Sequence, residues 1–175
     1  SNTVLGHTLS LSGIGLMSTK NVAVGKTVSV GTLSLAGAQS ANYKLADGTI
    51  DIDVTPRTTD ASGSRHYDGT TVARSSAFTS FSNTAGSDTL SLSGSGTIGS
   101  ADVGSKGVSI GTLSSAHPNY ILGNATLTIT QRPVNLSGSR ITGNVDNSTE
   151  IDSSKLRFVN LPNNERLNLS GAGKI

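Results

Sequence analysis

Two aspartates, Asp51 and Asp53, alternate with apolar residues along one predicted strand, so both carboxylates project from the same face. Paired carboxylates can bind Ca²⁺, which takes about six to eight oxygen ligands. The same strand recurs later in the chain with Thr126 and Thr128 at the matching positions, and the sequence has no EF-hand loop. The favoured interpretation is a solvated strand face, with Ca²⁺ binding by Asp51 and Asp53 as the weaker alternative.

The triplet Tyr67, Asp68 and Gly69 offers an aromatic face and a carboxylate, the groups with which proteins recognise sugars. Asp-Gly is also a common tight-turn pair. The chain has only 3 Tyr and 3 Phe, so Tyr67 is one of few large residues available to fill a core. We predict that the triplet is a structural turn, with Tyr67 contributing to the core.

The sequence lacks a convergent set of catalytic groups. It has no Cys, its 3 His fall at unrelated positions of the repeat described below, and no Gly-x-Ser-x-Gly elbow joins a strand to a convincing helix. We therefore predict no enzymatic activity, no catalytic residue and no cofactor. The net charge of +2, with Lys and Arg scattered singly, predicts no nucleic-acid binding. Apolar runs are too short for a membrane span.

Internal repetition determines where these residues lie. The string HTLSLSGIG at 7–15 returns as DTLSLSGSG at 88–96 and as ERLNLSGAG at 165–173. A period near 80 residues is far longer than a solenoid repeat of about 20–50, so each unit should be a small domain with its own core. The repeat divides the chain into an N-terminal segment (1–56, the C-terminal part of a module), a central module (57–132, complete) and a C-terminal segment (133–175, the N-terminal part of the next module).

Alternating apolar and polar residues, as at 8–12 and 49–55, predict half-buried strands. The only helical signal is short, at 75–81 and near 153–158. The predicted fold is mainly β, with tandem small antiparallel modules in an elongated arrangement and little or no helix. Tyr43 and Tyr120 recur at matched positions and are predicted core anchors. The other predicted core residues are Leu90, Leu92, Val108, Ile110, Leu127 and Ile129.

Three strings of the central module carry a family likeness: HYDGTTVA at 66–73, the repeat-bearing stretch at 88–122, and TLTITQR at 126–132. They resemble the YDG and mostly-β-grasp repeat modules of large bacterial adhesins. Residues 18–57 resemble the second half of the same module. The likeness implies a β-grasp-like fold and membership of a filamentous-haemagglutinin-like exoprotein exported by two-partner secretion. The C-terminal segment departs from the pattern, because ITGNVDN at 141–147 stands where HYDGTTV is expected.

On this likeness we expect a non-catalytic stalk segment of a secreted or surface-attached adhesin, located at the bacterial outer membrane and involved in cell adhesion and biofilm. Its partners would be neighbouring modules, and extracellular polysaccharide or a host glycan or protein. The alternative is a carbohydrate-binding module for biofilm or host glycans, against which the aromatic content of 3% counts. Whether the two partial modules pair with each other, between chains or not at all stays open at this point.

Overall fold

A computed structural model of the chain describes residue 4 and residues 6–46, 50–137, 150–152, 156–168, 170 and 172–174. The chain forms two compact units. The first comprises Ser1–Thr58 together with His117–Ile121, and the second comprises Thr59–Ala116 together with Leu122–Ile175. The segment 141–147, where the sequence departs from the repeat, lies outside the described residues.

Short strands dominate both units and confirm the predicted mainly-β class. In chain order they are β1 (Ser10–Ser12), β2 (Leu16–Met17), β3 (Ala23–Ser29), β4 (Ser34–Ala36), β5 (Ile50–Val54), β6 (Arg57–His66), β7 (Val72–Arg74), β8 (Phe78–Phe81), β9 (Leu92–Ser93), β10 (Ser95–Ile98), β11 (Gly104–Ser109), β12 (Ser114–Ser115), β13 (Tyr120–Thr130), β14 (Asn135–Ser137), β15 (Glu150–Asp152), β16 (Arg157–Val159) and β17 (Ala172–Lys174). In the described part of the chain, helical structure consists of short 3₁₀ turns at Ser40–Asn42, Ser75–Ala77 and Pro162–Asn164. Within the described ranges, no helix is long and apolar enough to cross a membrane.

The first unit contains a three-stranded antiparallel sheet in the order β2-β3-β5 and a separate pair of β1 with β4. A bulge between Ala23 and Lys26 interrupts the pairing of β3 with β5. Such a bulge bends the strand and increases its twist.

A six-stranded sheet, in the order β7-β10-β11-β13-β6-β8, organises the central module. Most neighbours are antiparallel, but β6 and β13 are parallel. At the N-terminal ends of the two strands Arg57 N–H donates to Asn119 O, and at their C-terminal ends Tyr67 N–H donates to Thr130 O. The bonds therefore advance in the same direction along both chains, which only parallel strands allow.

The main core lies in the second unit and is formed by β6, β7, β8, β10 and β13 with the turn after β11. Its buried residues are Ala61, Ala73, Phe78, Ile98, Leu113, Ala125, Leu127 and Ile129. The predicted core residues Leu92, Val108 and Ile110 are partly buried and pack against this cluster, while Leu90 is half-buried. One buried polar residue, Thr59, satisfies its hydroxyl by donating to Ser82 O at 2.6 Å. This bond removes the desolvation cost of an unpaired hydroxyl.

Residues matched by the repeat make matched hydrogen bonds. In the N-terminal segment, Thr32 Oγ1 accepts from Ile14 N–H at 3.0 Å and donates to Ile14 O at 3.4 Å. In the central module, Thr112 Oγ1 accepts from Ser95 N–H at 3.0 Å and donates to Ser95 O at 3.1 Å. The facing hydroxyls of β1 and β4, and those of β9 and β12, are likewise 3.0 Å apart in both places. The repeat in the sequence is therefore also a repeat in local geometry.

The C-terminal segment repeats the first half of the central module in part. The pair Leu136 and Phe158 on β14 and β16 corresponds to Ala61 and Phe81 on β6 and β8. Asn83 and Asn160 follow the matched strands β8 and β16, and both have left-handed φ values, of 54° and 66°. Asparagine tolerates this conformation better than most residues.

Two predictions differ from the structure. The strand at 49–55 is not half-buried as predicted, because Ile50 and Ile52 are 46% and 42% exposed. Their strand, β5, is an edge strand, whereas the matching strand β13 is covered on its outer side by β6. The helical signal at 75–81 gives a 3₁₀ turn over Ser75–Ala77 that continues as the strand β8.

Candidate functional site at the Tyr67 loop

The loop between β6 and β7 is closed by the carboxylate of Asp68. Asp68 Oδ1 accepts from both the backbone N–H and the hydroxyl of Thr70, each at 2.9 Å. The same oxygen forms an ion pair with Arg65, whose Nη2 also donates to Thr70 O at 2.6 Å. Asp68 thus makes a side-chain-assisted turn of the kind that aspartate favours.

Gly69 follows Asp68 with a left-handed φ of 70°. A Cβ added at Gly69 would lie 2.1 Å from Nδ2 of Asn163. The left-handed backbone favours glycine, and a side chain here would have to displace the amide end of Asn163. Asp68 and Gly69 thus lie in a loop that the Asp68 carboxylate closes.

Tyr67 joins the loop to two other parts of the second unit. Its N–H donates to Thr130 O at 2.9 Å, and its half-buried ring packs against the main core. Its hydroxyl donates a hydrogen bond to the carboxylate of Glu165. The pKa of Tyr67 is raised above its usual value. The largest cause is this hydrogen bond to Glu165, and smaller contributions come from burial and from the negative charges of Glu165 and Asp102.

Residues 160–165 of the C-terminal segment contact this loop directly at a second point and are also connected to it through Arg132. Asn163 Nδ2 donates to Asp68 O at 3.4 Å. Arg132 Nε donates to Asn160 O at 2.8 Å, and its Nη1 donates to Tyr67 O at 3.5 Å. The loop, the end of the central module and residues 160–165 of the next repeat thus meet at one place, which we call the joint: Tyr67, Asp68, Arg132, Asn163 and Glu165.

A cavity of about 360 Å³ lies beside the joint. Aliphatic residues contribute much of its wall, which includes Val103, Val134, Leu161 and Leu167. The joint residues Tyr67, Arg132 and Glu165 also line it, together with Gln131.

The other two tyrosines each pack against a histidine. Tyr43 Oη accepts from Val4 N–H at 2.9 Å and lies 2.8 Å from Nδ1 of His7, with the rings edge to face at 5.9 Å. Tyr120 is buried, and its ring lies edge to face with His117 at 5.1 Å. These pairs were not predictable from the repeat, because His7 and His117 occupy different positions in it.

The asparagines that precede the two tyrosines have different partners. Asn119 accepts from Val22 N–H at 2.9 Å through Oδ1 and donates from Nδ2 to Asn21 Oδ1 at 3.0 Å. Asn42 instead donates to the side chain of Gln39 at 2.9 Å.

Asp51 and Asp53 lie on β5, and both are exposed. Asp53 Oδ1 accepts from Gly25 N–H at 2.8 Å, so it is engaged at the bulge of β3. In the part of the chain that the structure describes, no three His, Cys, Asp or Glu residues lie close enough together to hold a metal ion. These two aspartates belong to the first unit, whereas the joint residues belong to the second.

Sequence reasoning missed Glu165, Asn163 and Arg65 as contributors to the site. Arg65 carried a usable signal, since ASGSR at 61–65 returns as LSGSR at 136–140. Burial lowers the pKa of Arg65, and the nearby charge of Arg74 acts in the same direction. Glu165 carried no such signal, because its matched residues are His7 and Asp88.

These features define the class of the chain, a mainly-β protein. Residues 53–129 match the family model of the YDG domain. The match supports the YDG family for the central module and includes Tyr67, Asp68 and Gly69. No curated protein and no solved structure matches the chain.

Proposed function

We propose that this chain is a segment of a non-catalytic stalk, in which successive β modules are linked in series within a large bacterial adhesin. The joint is the observation that supports this most. It connects the loop at the end of β6 to residues 160–165 of the next repeat, through bonds from Tyr67, Asn163 and Arg132. Such a contact holds one module against its neighbour in sequence, as in other tandem-repeat proteins.

The chemistry of the joint also supports a structural role. Asp68 forms an ion pair with Arg65 and accepts a hydrogen bond from Thr70, and the Tyr67 hydroxyl donates to Glu165. An enzyme would need an acid, a base or a nucleophile directed at a substrate position. In the joint these groups are directed at other parts of the chain, so we infer that the chain is not an enzyme.

The adhesin context rests on the resemblance to modules of filamentous-haemagglutinin-like exoproteins. From it we infer export by two-partner secretion and a location that is secreted or at the bacterial cell surface. The partners would be neighbouring modules of the same chain, and a polysaccharide or host surface molecule bound elsewhere on the adhesin.

Small-angle X-ray scattering tests the stalk. A compact globule of this length has a radius of gyration of about 16 Å. Modules in series should give a clearly larger value and a rod-like scattering profile. A value close to that of the globule contradicts the proposal.

A glycan array separates the stalk from a carbohydrate-binding module. The stalk predicts no specific glycan binding. Specific binding that is lost in Tyr67→Ala but kept in Tyr43→Ala would contradict the stalk and identify the joint as a sugar site.

A further inference from the structure

Asn119 lies where the N-terminal segment and the central module meet, and it forms hydrogen bonds with both. Its side-chain Oδ1 accepts from Val22 N–H at 2.9 Å, and its Nδ2 donates to Asn21 Oδ1 at 3.0 Å. Its backbone O accepts from the N–H of Arg57, the first residue of the central module, at 2.9 Å. These four residues all belong to the first compact unit. The side chain of Asn119 therefore binds the preceding module, while its backbone binds its own module.

The turn that carries Asn119 is closed by its own residues. Pro118 stands at the second position of a β-turn, which proline favours, and Tyr120 N–H donates to His117 O at 3.1 Å. Asn119 N–H donates to Nδ1 of His117 at 3.2 Å. The buried ring of Tyr120 lies edge to face with the ring of His117. These contacts fix the backbone of the turn, so the side-chain amide of Asn119 is left for contacts outside it.

The loop that Asn119 binds is ordered by Lys26, within the N-terminal segment. The Lys26 Nζ donates to Thr19 O at 2.5 Å, to Thr19 Oγ1 at 2.8 Å and to Asn21 O at 2.6 Å. Hydrogen bonds from a charged donor are stronger than those between neutral groups. Lys26 thus holds the loop that presents the N–H of Val22 and the side chain of Asn21.

The contact has a definite donor and acceptor pattern. Asn119 needs one backbone donor and one side-chain oxygen acceptor on the partner loop. Without Asn119 Oδ1, a part-buried N–H at Val22 would lose its acceptor, which is costly. The repeat matches Asn21 and Val22 to Asp102 and Val103. The second copy of the loop therefore keeps a side-chain oxygen acceptor beside the same valine.

We propose that the turn His117–Tyr120 is a recognition element with which a module binds the module before it, and that Asn119 is the residue that selects the partner loop. The partner is a loop that offers a backbone N–H next to a side-chain oxygen acceptor. This linking role rests on the proposed stalk, in which modules follow one another in series. The contact is separate from the joint, whose residues lie in the second unit.

A double-mutant cycle tests the proposal, with thermal unfolding of the full-length chain as the measurement. Asn119→Asp keeps an oxygen for Val22 N–H, and the amide of Asn21 can rotate to donate to the new carboxylate. Asn21→Asp keeps an acceptor for Asn119 Nδ2. Each single variant should therefore shift the unfolding midpoint by under about 2 °C. In the double variant two carboxylates face each other without a donor, so the midpoint should fall about 3 °C or more beyond the sum of the single shifts.

The matched control combines Asn42→Asp with Asn21→Asp. Asn42 holds the position of Asn119 in the first copy of the repeat, but it donates to Gln39 at 2.9 Å. The shifts of this pair should add, because the two side chains share no bond. Additive shifts for Asn119→Asp with Asn21→Asp as well would overturn the proposal.

Hydrogen exchange at one amide gives a second readout. The Val22 N–H should exchange about tenfold faster in Asn119→Ala, which removes its acceptor. It should exchange at the native rate in Asn119→Asp and in Asn42→Ala. Unchanged exchange in Asn119→Ala would overturn the proposal. The scattering test of the stalk uses the overall dimensions of the native chain, so a failure of the stalk and a failure of this contact are distinguished.

Discussion

The N-terminal segment and the central module share matched strands, their register and the hydrogen bonds of a matched threonine. The apolar side chains of the two regions nevertheless differ greatly in how much of their surface is exposed. Leu127 on β13 is 0% exposed, while the matching Ile52 on β5 is 42% exposed. Ile98 on β10 is 5% exposed, while the matching Met17 on β2 is 42% exposed. Thr32 and Thr112, by contrast, make the same two bonds in both places.

The difference separates two kinds of information in the sequence. The strand pairing and the threonine bonds need only residues within one half of a module, since Thr32 bonds Ile14 and Thr112 bonds Ser95. Burial depends on strands that are distant in sequence, here β6, β7 and β8. A segment can therefore adopt the local structure of a module while its core face stays open.

The largest expected effect comes from truncating the matched apolar pair. Leu127→Ala should lower the free energy of unfolding by about 2–5 kcal/mol, because it leaves a cavity in a packed core. Ile52→Ala should cost under about 1 kcal/mol, since its side chain is already largely in water. Urea unfolding of the two variants measures both values. Equal losses would mean that the two segments are packed alike in solution.

An intermediate effect is expected from the matched threonines. Thr112→Val and Thr32→Val each remove two side-chain hydrogen bonds, so each should cost about 0.5–1.5 kcal/mol. The losses should be similar and should add in the double variant, because the sites lie in separate copies of the repeat. The same unfolding measurement applies. A cost at Thr112 alone would show that the shared geometry of the N-terminal segment contributes nothing to its stability.

The smallest effect concerns pH and belongs to the second unit. Donation to Glu165 raises the pKa of Tyr67 above its usual 10.0. A raised pKa means that the bond stabilises the folded state fully below pH 10, and that this contribution is lost as the pH rises through the folded pKa. The stability difference between the native chain and Tyr67→Phe should therefore shrink above about pH 10. Unfolding midpoints of the two proteins, measured at several alkaline pH values, give this difference. A difference that stays constant with pH would exclude the hydrogen bond between Tyr67 and Glu165.

The sequence predicts the fold class and much of the strand layout. Alternation predicted β5 and β13 because it is visible within each strand, and the repeat predicted the matched turns because the same strings of residues return in order. The edge position of β5 and the parallel neighbour of β13 were not predictable, since they depend on which distant strands meet. In the site, Asp68 and Gly69 lie in a loop that the Asp68 carboxylate closes, and Asp-Gly is a pair that favours such turns. Glu165 was missed because its bond to Tyr67 joins residues far apart in the chain.

The parallel pairing of β6 and β13 has a consequence for a chain under tension. These are the first and last strands of the central module, bonded from Arg57 and Asn119 at one end to Tyr67 and Thr130 at the other. A pull applied between the start of β6 and the end of β13 acts along both strands. It shears all the interstrand hydrogen bonds at once, whereas pulling apart the open end of a hairpin breaks them one by one. The module is therefore arranged to resist a pull between the start of its first strand and the end of its last strand.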